Sequence, residues 1–231
     1  LSQSGVVQAF NKFGRREILN WCDNAYDHIR DLDKEYSNWL CVPRSIRMTS
    51  IKPSGTVSLL NGSTPGIHFP ENEYYIRRIR FGKDSDLLDN LKEAGYTIEK
   101  DEYSPNTVCV EFPVHEPYYV KGKKDVSLWE QLEIAAQYQH YWADNSVSIT
   151  VTFKPEEAHN IKEALEMYET RLKAVSFLKY EETGYKQAPY EPISKELYDD
   201  MVSKIKPISR VDTEQGGVGS KFCTNDSCTI L

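Results

Sequence analysis

Cys223 and Cys228, five positions apart near the end of the sequence, are the residues whose type and spacing best suit redox chemistry. Residues 214–220 before them read Glu-Gln-Gly-Gly-Val-Gly-Ser, a glycine-rich run that favours neither helix nor strand. A dithiol on such a flexible terminus can enter a buried site, exchange with a disulfide there and swing out to be reduced. The seventeen residues 207–223 reach roughly 50 Å when extended and span about 20–25 Å as a flexible coil. The tail therefore implies a protein that oxidises its own cysteines at each turnover. The plainer alternative is two unpaired surface thiols.

A second constellation lies at Lys52-Pro-Ser-Gly-Thr-Val57. Backbone amides at a helix entry, flanked by serine and threonine hydroxyls, cradle phosphate, and a glycine admits an anion close to the chain. The candidate phosphate-binding residues are Ser54, Gly55, Thr56 and Val57, although many helices begin this way and bind nothing. Arg77, Arg78 and Arg80 form the strongest basic cluster. Strand alternation sends Arg78 and Arg80 to one face and Arg77 to the other, where they meet anions or, more commonly, solvent at a strand edge. The five histidines lack metal-ligand spacing, and no second ligand pair accompanies Cys223 and Cys228; no metal site is expected.

The elements that must position these groups alternate between helix and strand. Apolar residues at helical spacing cover 5–40, from Val7 and Phe10 through Ile18 and Trp21 to Ile29 and Leu32. A short strand-like piece, 45–51, leads into the phosphate candidate, and 63–66 is a turn. Strands are expected at 74–81, 96–100, 107–114 and 147–153, the last being the clearest. Helices are expected at 84–95, 127–144, 156–172 (opened by Pro155) and 195–205, with a loop across 181–194. That alternation predicts an α/β fold.

Composition bounds the rest. At 231 residues, with 39% hydrophobic and 12% aromatic content, the chain buries a real core. A net charge of −7 argues against nucleic acid as a partner. No apolar run is long enough to span a membrane. The first residue is Leu1 rather than Met, and the start reads as the middle of something longer. Five cysteines in no dense framework fit a reduced, cytoplasmic setting in which any disulfide is catalytic. Cys109, in an alternating strand pattern, is expected to be a core thiol, and Cys22 and Cys41 are expected to be buried by packing.

Read together, Ser50-Ile-Lys-Pro-Ser-Gly-Thr-Val-Ser-Leu-Leu-Asn-Gly-Ser-Thr-Pro-Gly-Ile-His68 resembles the substrate-phosphate segment of adenosylcobalamin-dependent (class II) ribonucleotide reductases. Tyr74-Tyr-Ile-Arg-Arg-Ile-Arg80, Tyr141-Trp-Ala-Asp-Asn-Ser-Val-Ser-Ile-Thr150 and Ala188-Pro-Tyr-Glu-Pro-Ile193 resemble further blocks of that family, in the expected order. The final Cys-x4-Cys resembles its monomeric ribonucleoside-triphosphate reductase branch. The resemblance implies that residues 1–206 are the C-terminal part of a ten-stranded α/β barrel, and 207–231 a flexible redox tail. It implies that Ser54, Gly55, Thr56 and Val57 hold substrate phosphates and that adenosylcobalamin faces parts of about 57–116 and 177–216. The cobalamin keeps its own base on cobalt in this family, so the lack of an Asp-x-His-x-x-Gly motif does not count against it.

The implied activity is reduction of ribonucleoside triphosphates to 2′-deoxyribonucleotides for DNA synthesis by a thiyl radical. Cys223 and Cys228 would re-reduce a local cysteine pair and be reduced in turn by thioredoxin, in a protein monomeric when full-length. The family's radical cysteine lies in Asn-Pro-Cys-Gly-Glu, which this sequence lacks, and the effector site is also expected elsewhere. This chain is therefore expected to be inactive alone. The alternatives are a non-catalytic cobalamin- or nucleotide-binding module and one subunit of a split reductase.

Overall fold

Gly14 splits the long N-terminal helix that the apolar spacing predicts. At φ 87° and ψ 142° its backbone leaves the helical basin for a region that side chains other than hydrogen rarely adopt, separating α1 (Val6–Phe13) from α2 (Arg15–Trp39). The computed structural model describes all residues except 56, 181–185, 209–220, 225, 226 and 231. Next in order come α3 (Val57–Leu60), β1 (Tyr74–Gly82), α4 (Leu87–Glu93), β2 (Thr97–Lys100), β3 (Thr107–His115) and α5 (Leu128–Tyr141). They are followed by β4 (Thr150–Phe153), α6 (Ile161–Tyr168), β5 (Ser176–Lys179), β6 (Tyr190–Pro192), α7 (Lys195–Lys204), β7 (Lys221–Thr224) and β8 (Ser227–Ile230). The α/β expectation holds.

Two sets of extended chain organise the molecule. In the first, Ser2 bridges Ser50, Ile51 bridges Val147 and β4 pairs with β5, each in parallel. The expected strand at 45–51 is thus reduced to bridges, and 147–153 becomes regular only at Thr150. The second set is an antiparallel sheet of order β2-β3-β1-β6. Its central strand β1 pairs with β3 from Tyr74↔His115 to Gly82↔Thr107 and with β6 through Tyr75, Ile76 and Arg77. Arg77 is accordingly flanked by strands on both sides, whereas Arg80 lies beyond the reach of β6 and pairs only with β3.

One apolar cluster joins the helices to the parallel set. Val6 and Val7 of α1 and Ile18, Leu19 and Cys22 of α2 meet Ile51, Ile67 and Val151, with Leu128, Leu132, Ala135 and Tyr138 of α5 between them. Ser127 caps α5, its hydroxyl accepting from the Glu130 amide at 3.2 Å, as serine does at an N-terminus. Glu157 explains why the helix after Pro155 starts late. Its carboxylate accepts from the amides of Leu128 at 3.1 Å and Lys154 at 2.9 Å. Residues Pro155–Asn160 are drawn into a 3₁₀ turn, and α6 begins only at Ile161. On the other sheet, α7 lays Tyr198 against Tyr74 (5.1 Å between ring centres), which stacks on His115 at 4.7 Å.

Cys109 and Cys22 are buried, as expected, at 0% and 3% exposure. Cys41 corrects its expectation: it is exposed. It follows the last turn of α2 with φ 54°, which carries it off the helix face that packs. In the tail, β7 and β8 pair antiparallel with Cys223 directly opposite Cys228. The glycine-rich run 214–220 lies outside the described residues. Among the described residues no helix is long and apolar enough to cross a membrane.

Candidate functional site

The phosphate candidate is strapped from one side by the N-terminal segment. The Lys52 amide donates to Ser2 Oγ at 2.9 Å, and the hydroxyls of Ser4 and Ser54 lie 2.6 Å apart. Ser54 has φ 35°, an uncommon conformation for a residue with a Cβ, of the kind that concentrates at functional sites. Its carbonyl accepts from the Ser58 amide at 3.1 Å, leading into the single turn of α3. Ser54 and Gly55 are half-buried and Val57 is exposed; Thr56 lies outside the described residues.

Beyond α3 the chain returns through Gly66, whose φ of 54° and approach to the Lys52 carbonyl leave no room for a side chain: a Cβ there would sit 2.5 Å from that oxygen. Gln8 holds the intervening turn. Its Nε2 donates to the Gly62 carbonyl at 3.1 Å and to Glu116 Oε2 at 2.9 Å, while its Oε1 accepts from the Thr64 amide at 3.2 Å. Glu116 is only 3% exposed and also accepts from the Tyr75 hydroxyl at 2.5 Å. Burial pushes the Glu116 carboxyl above its ordinary range, with the Tyr75 and Gln8 hydrogen bonds opposing it. Tyr75 is raised in turn, first by burial and then by the Glu116 charge. The hydroxyls of Ser58 and Thr64 are buried beside this segment without a partner among the described residues. Unsatisfied groups of this kind are costly and call for an explanation.

From the other side the segment faces the antiparallel sheet. A Cβ built on Gly55 would lie 3.8 Å from the Tyr190 hydroxyl and meet nothing else within 4 Å. Tyr190 belongs to β6, opposite Arg77 in register, with its ring 5.6 Å from that of Tyr75. On the far face Arg78 and Arg80 are neutralised, by Glu111 and Glu191 and by Asp101 respectively. The strand alternation was therefore legible, but the partners were not. Gln8, Glu116, Tyr75 and Tyr190 were missed as site neighbours. Their contacts span tens of residues, and a three-residue strand ending in Pro192 reads as loop.

His68 closes the turn. The Thr150 amide donates to its Nε2 at 3.1 Å, which leaves Nδ1–H to donate to the Pro65 carbonyl, also at 3.1 Å. This tautomer is neutral, and burial pushes the imidazole below its ordinary 6.5; the Pro65 bond opposes the shift and the nearby Lys123 charge adds to it. Below pH 6.5 the unfolded chain takes up a proton that the folded one refuses, so the stability His68 contributes is present above that pH and lost as pH falls towards the folded value. The thermal midpoint is expected to drop more steeply from about pH 6.5 to 5 in the parent than in His68→Gln; equal slopes would assign the acid sensitivity elsewhere.

With this geometry in place, the comparisons with known proteins decide the family. An adenosylcobalamin-dependent ribonucleoside-triphosphate reductase of Euglena gracilis is 42% identical over 239 aligned residues, covering 100% of this chain and 33% of that protein. A probable enzyme of the same name in Dictyostelium discoideum is 43% identical over 237, covering 100% of this chain and 31% of that protein. This chain belongs to the class II ribonucleotide reductases. The crystal structure of a B12-dependent class II reductase superposes with a TM-score of 0.79 at 33% identity, covering 88% of this chain and 32% of that one. No protein-family model matches the chain. The chain spans about a third of the length of the curated relatives it matches.

Proposed function

We propose that this chain supplies the substrate-phosphate segment and the electron-shuttling cysteines of an adenosylcobalamin-dependent ribonucleoside-triphosphate reductase. The observation that carries the reading is similarity to reductases of that name along the entire chain. The parallel alignment of the segments at Ser2, Ser50–Ile51, β4 and β5 supports placing it in the family's ten-stranded barrel.

In this reading the amides and hydroxyls of 54–57 hold the substrate's phosphates, and the missing side chain at Gly55 lets them approach. Ser4 fixes the Ser54 hydroxyl, while Gln8 and Glu116 fix the turn behind it. Cys223 and Cys228 deliver the electrons. One of their thiolates attacks a disulfide elsewhere in the enzyme, the other resolves the mixed disulfide, and two electrons pass as the tail pair becomes oxidised. Thioredoxin then returns the tail to its dithiol. The facing positions of the two cysteines suit this, because antiparallel neighbours lie about 4.5–5.5 Å apart at Cα, within the range of about 4.4–6.8 Å that a disulfide spans.

The residues present fit a corrinoid as a surface rather than as a cobalt ligand. Both ring nitrogens of His68 are committed, and His115 is stacked on Tyr74. Val57 and Tyr103 in one implied stretch, and Leu178, Leu197 and Val202 in the other, expose apolar surface. A cobalamin that carries its own base needs such surface, not a protein nitrogen. When bound, adenosylcobalamin supplies the radical initiation that no side chain here provides.

Gly55→Ala tests the reading cleanly. The added methyl would make ordinary contact with Tyr190, so the fold tolerates it, whereas an anion seated on the backbone does not. In the complete enzyme we expect substrate affinity to fall about 10-fold, or about 1.4 kcal/mol, with cobalamin affinity unchanged. Unaltered substrate binding would mean that the phosphates sit elsewhere.

A further inference from the structure

Of the three arginines on β1, Arg77 has no carboxylate partner among the described residues, whereas Arg78 and Arg80 do. Its Nη1 donates to the carbonyls of Arg78 and Pro189, each at 3.1 Å, while its Nε is buried and unpartnered. The guanidinium lies 4.4 Å from the centre of the Tyr190 ring, and Lys123 Nζ lies 5.4 Å from the same centre. Lys123 is held 3.0 Å from Glu71, so the uncompensated charge is that of Arg77. The arrangement follows from register. Tyr75 and Arg77 share a face of β1, Tyr190 sits opposite Arg77 on β6, and the Tyr190 hydroxyl faces Gly55 at contact distance from a would-be Cβ.

A partly desolvated cation without an anion is unfavourable, and an aromatic face recovers only part of what water supplied. A planar guanidinium with an unoccupied N–H edge suits phosphate oxygens, which it grips with charge-assisted hydrogen bonds. The ring that Arg77 stacks on carries, at its hydroxyl, the contact with Gly55 of the phosphate segment.

We propose that Arg77, stacked on Tyr190 and backed by Lys123, forms a second anion subsite that takes the outer phosphate of a nucleoside triphosphate held at 54–57. The subsite rests on the reading of 54–57 as the substrate-phosphate segment and goes beyond it. It assigns tri- over diphosphate selectivity to a residue pair on the antiparallel sheet, more than a hundred positions apart in sequence.

The test is equilibrium binding of CTP and CDP to the complete reductase. Arg77→Gln is expected to weaken CTP by about 10-fold, the size expected when a charge-assisted phosphate contact is lost, and to leave CDP within about twofold, collapsing the preference. Arg77→Lys should restore part of it. Equal loss for both nucleotides, or loss for neither, overturns the subsite. Gly55→Ala separates the two readings. If it weakens CTP and CDP together while Arg77→Gln discriminates neither, only the subsite fails; if Gly55→Ala affects neither nucleotide, the phosphate segment itself is misplaced. Should Arg77→Gln fail to fold, Lys123→Met probes the same subsite through the second cation near the Tyr190 ring. A CTP-selective loss supports the subsite, and no selectivity overturns it.

Discussion

Replacing either Cys223 or Cys228 with serine in the complete reductase is expected to abolish thioredoxin-driven turnover while sparing a single turnover from a prereduced enzyme. The expected loss is the largest that any substitution in this chain should produce. Without a partner, the remaining thiol can form a mixed disulfide but cannot resolve it, so the electron pair never arrives. Rapid-quench measurement of deoxynucleotide formed per enzyme separates the two regimes: the first burst should match the parent, and the steady state should vanish. If the burst disappears as well, the tail cysteines act inside the site or hold it together, and the shuttle is wrong. Reduction by a small dithiol that reaches the site directly should rescue steady turnover in both variants. The antiparallel facing of Cys223 and Cys228 adds a structural expectation, that the oxidised parent carries an intramolecular bond between them.

Much of the fold is legible in the sequence where a local rule decides the structure. Ser127 three residues before Glu130 announces the start of α5, and the capping bond is present. The alternation of Tyr74–Phe81 and of Thr107–Val114 gives β1 and β3 almost to the residue. Illegible parts are those fixed by distant partners. Pro155 does open a helical turn, yet Glu157 is diverted to cap α5 and delays α6, which no local pattern signals. The strand at Tyr190–Pro192 exists only because β1 offers it an edge. The site divides the same way. In the proposed phosphate segment, the small and hydroxylated residues of 54–57 are the part that residue type suggests. Gln8, Glu116 and Tyr190 approach them only through tertiary packing, and Arg77 differs from Arg78 only by the face it occupies.

That opposite face carries the largest stability prediction. Arg78 and Glu111 stand directly across β1 and β3, with side-chain exposures of 9% and 10%. Arg78 Nε and Nη2 meet Glu111 Oε1 at 2.8 and 2.7 Å, and Nη1 reaches Glu191 at 2.5 Å. Arg78→Met keeps the volume of the stem but strands the Glu111 carboxylate in the sheet. Breaking a buried pair from one side costs about 3–5 kcal/mol, against about 0–1 kcal/mol for an exposed pair. Hydrogen exchange of the β1 and β3 amides in the complete protein should show the loss as faster opening confined to this sheet. The double variant Arg78→Met, Glu111→Leu removes both charges and is expected to recover most of it, because the penalty lies in the orphaned charge rather than in the missing contact. A double variant as labile as Arg78→Met alone would shift the cause to the bonds Arg78 makes with the Ala188 carbonyl and with Glu191 of β6. The two outcomes differ for function as well. Loss of those bonds loosens, without detaching, the β6 side of β1 that carries Tyr190, so it should also erode the CTP preference, whereas an orphaned Glu111 on the far face should leave it intact.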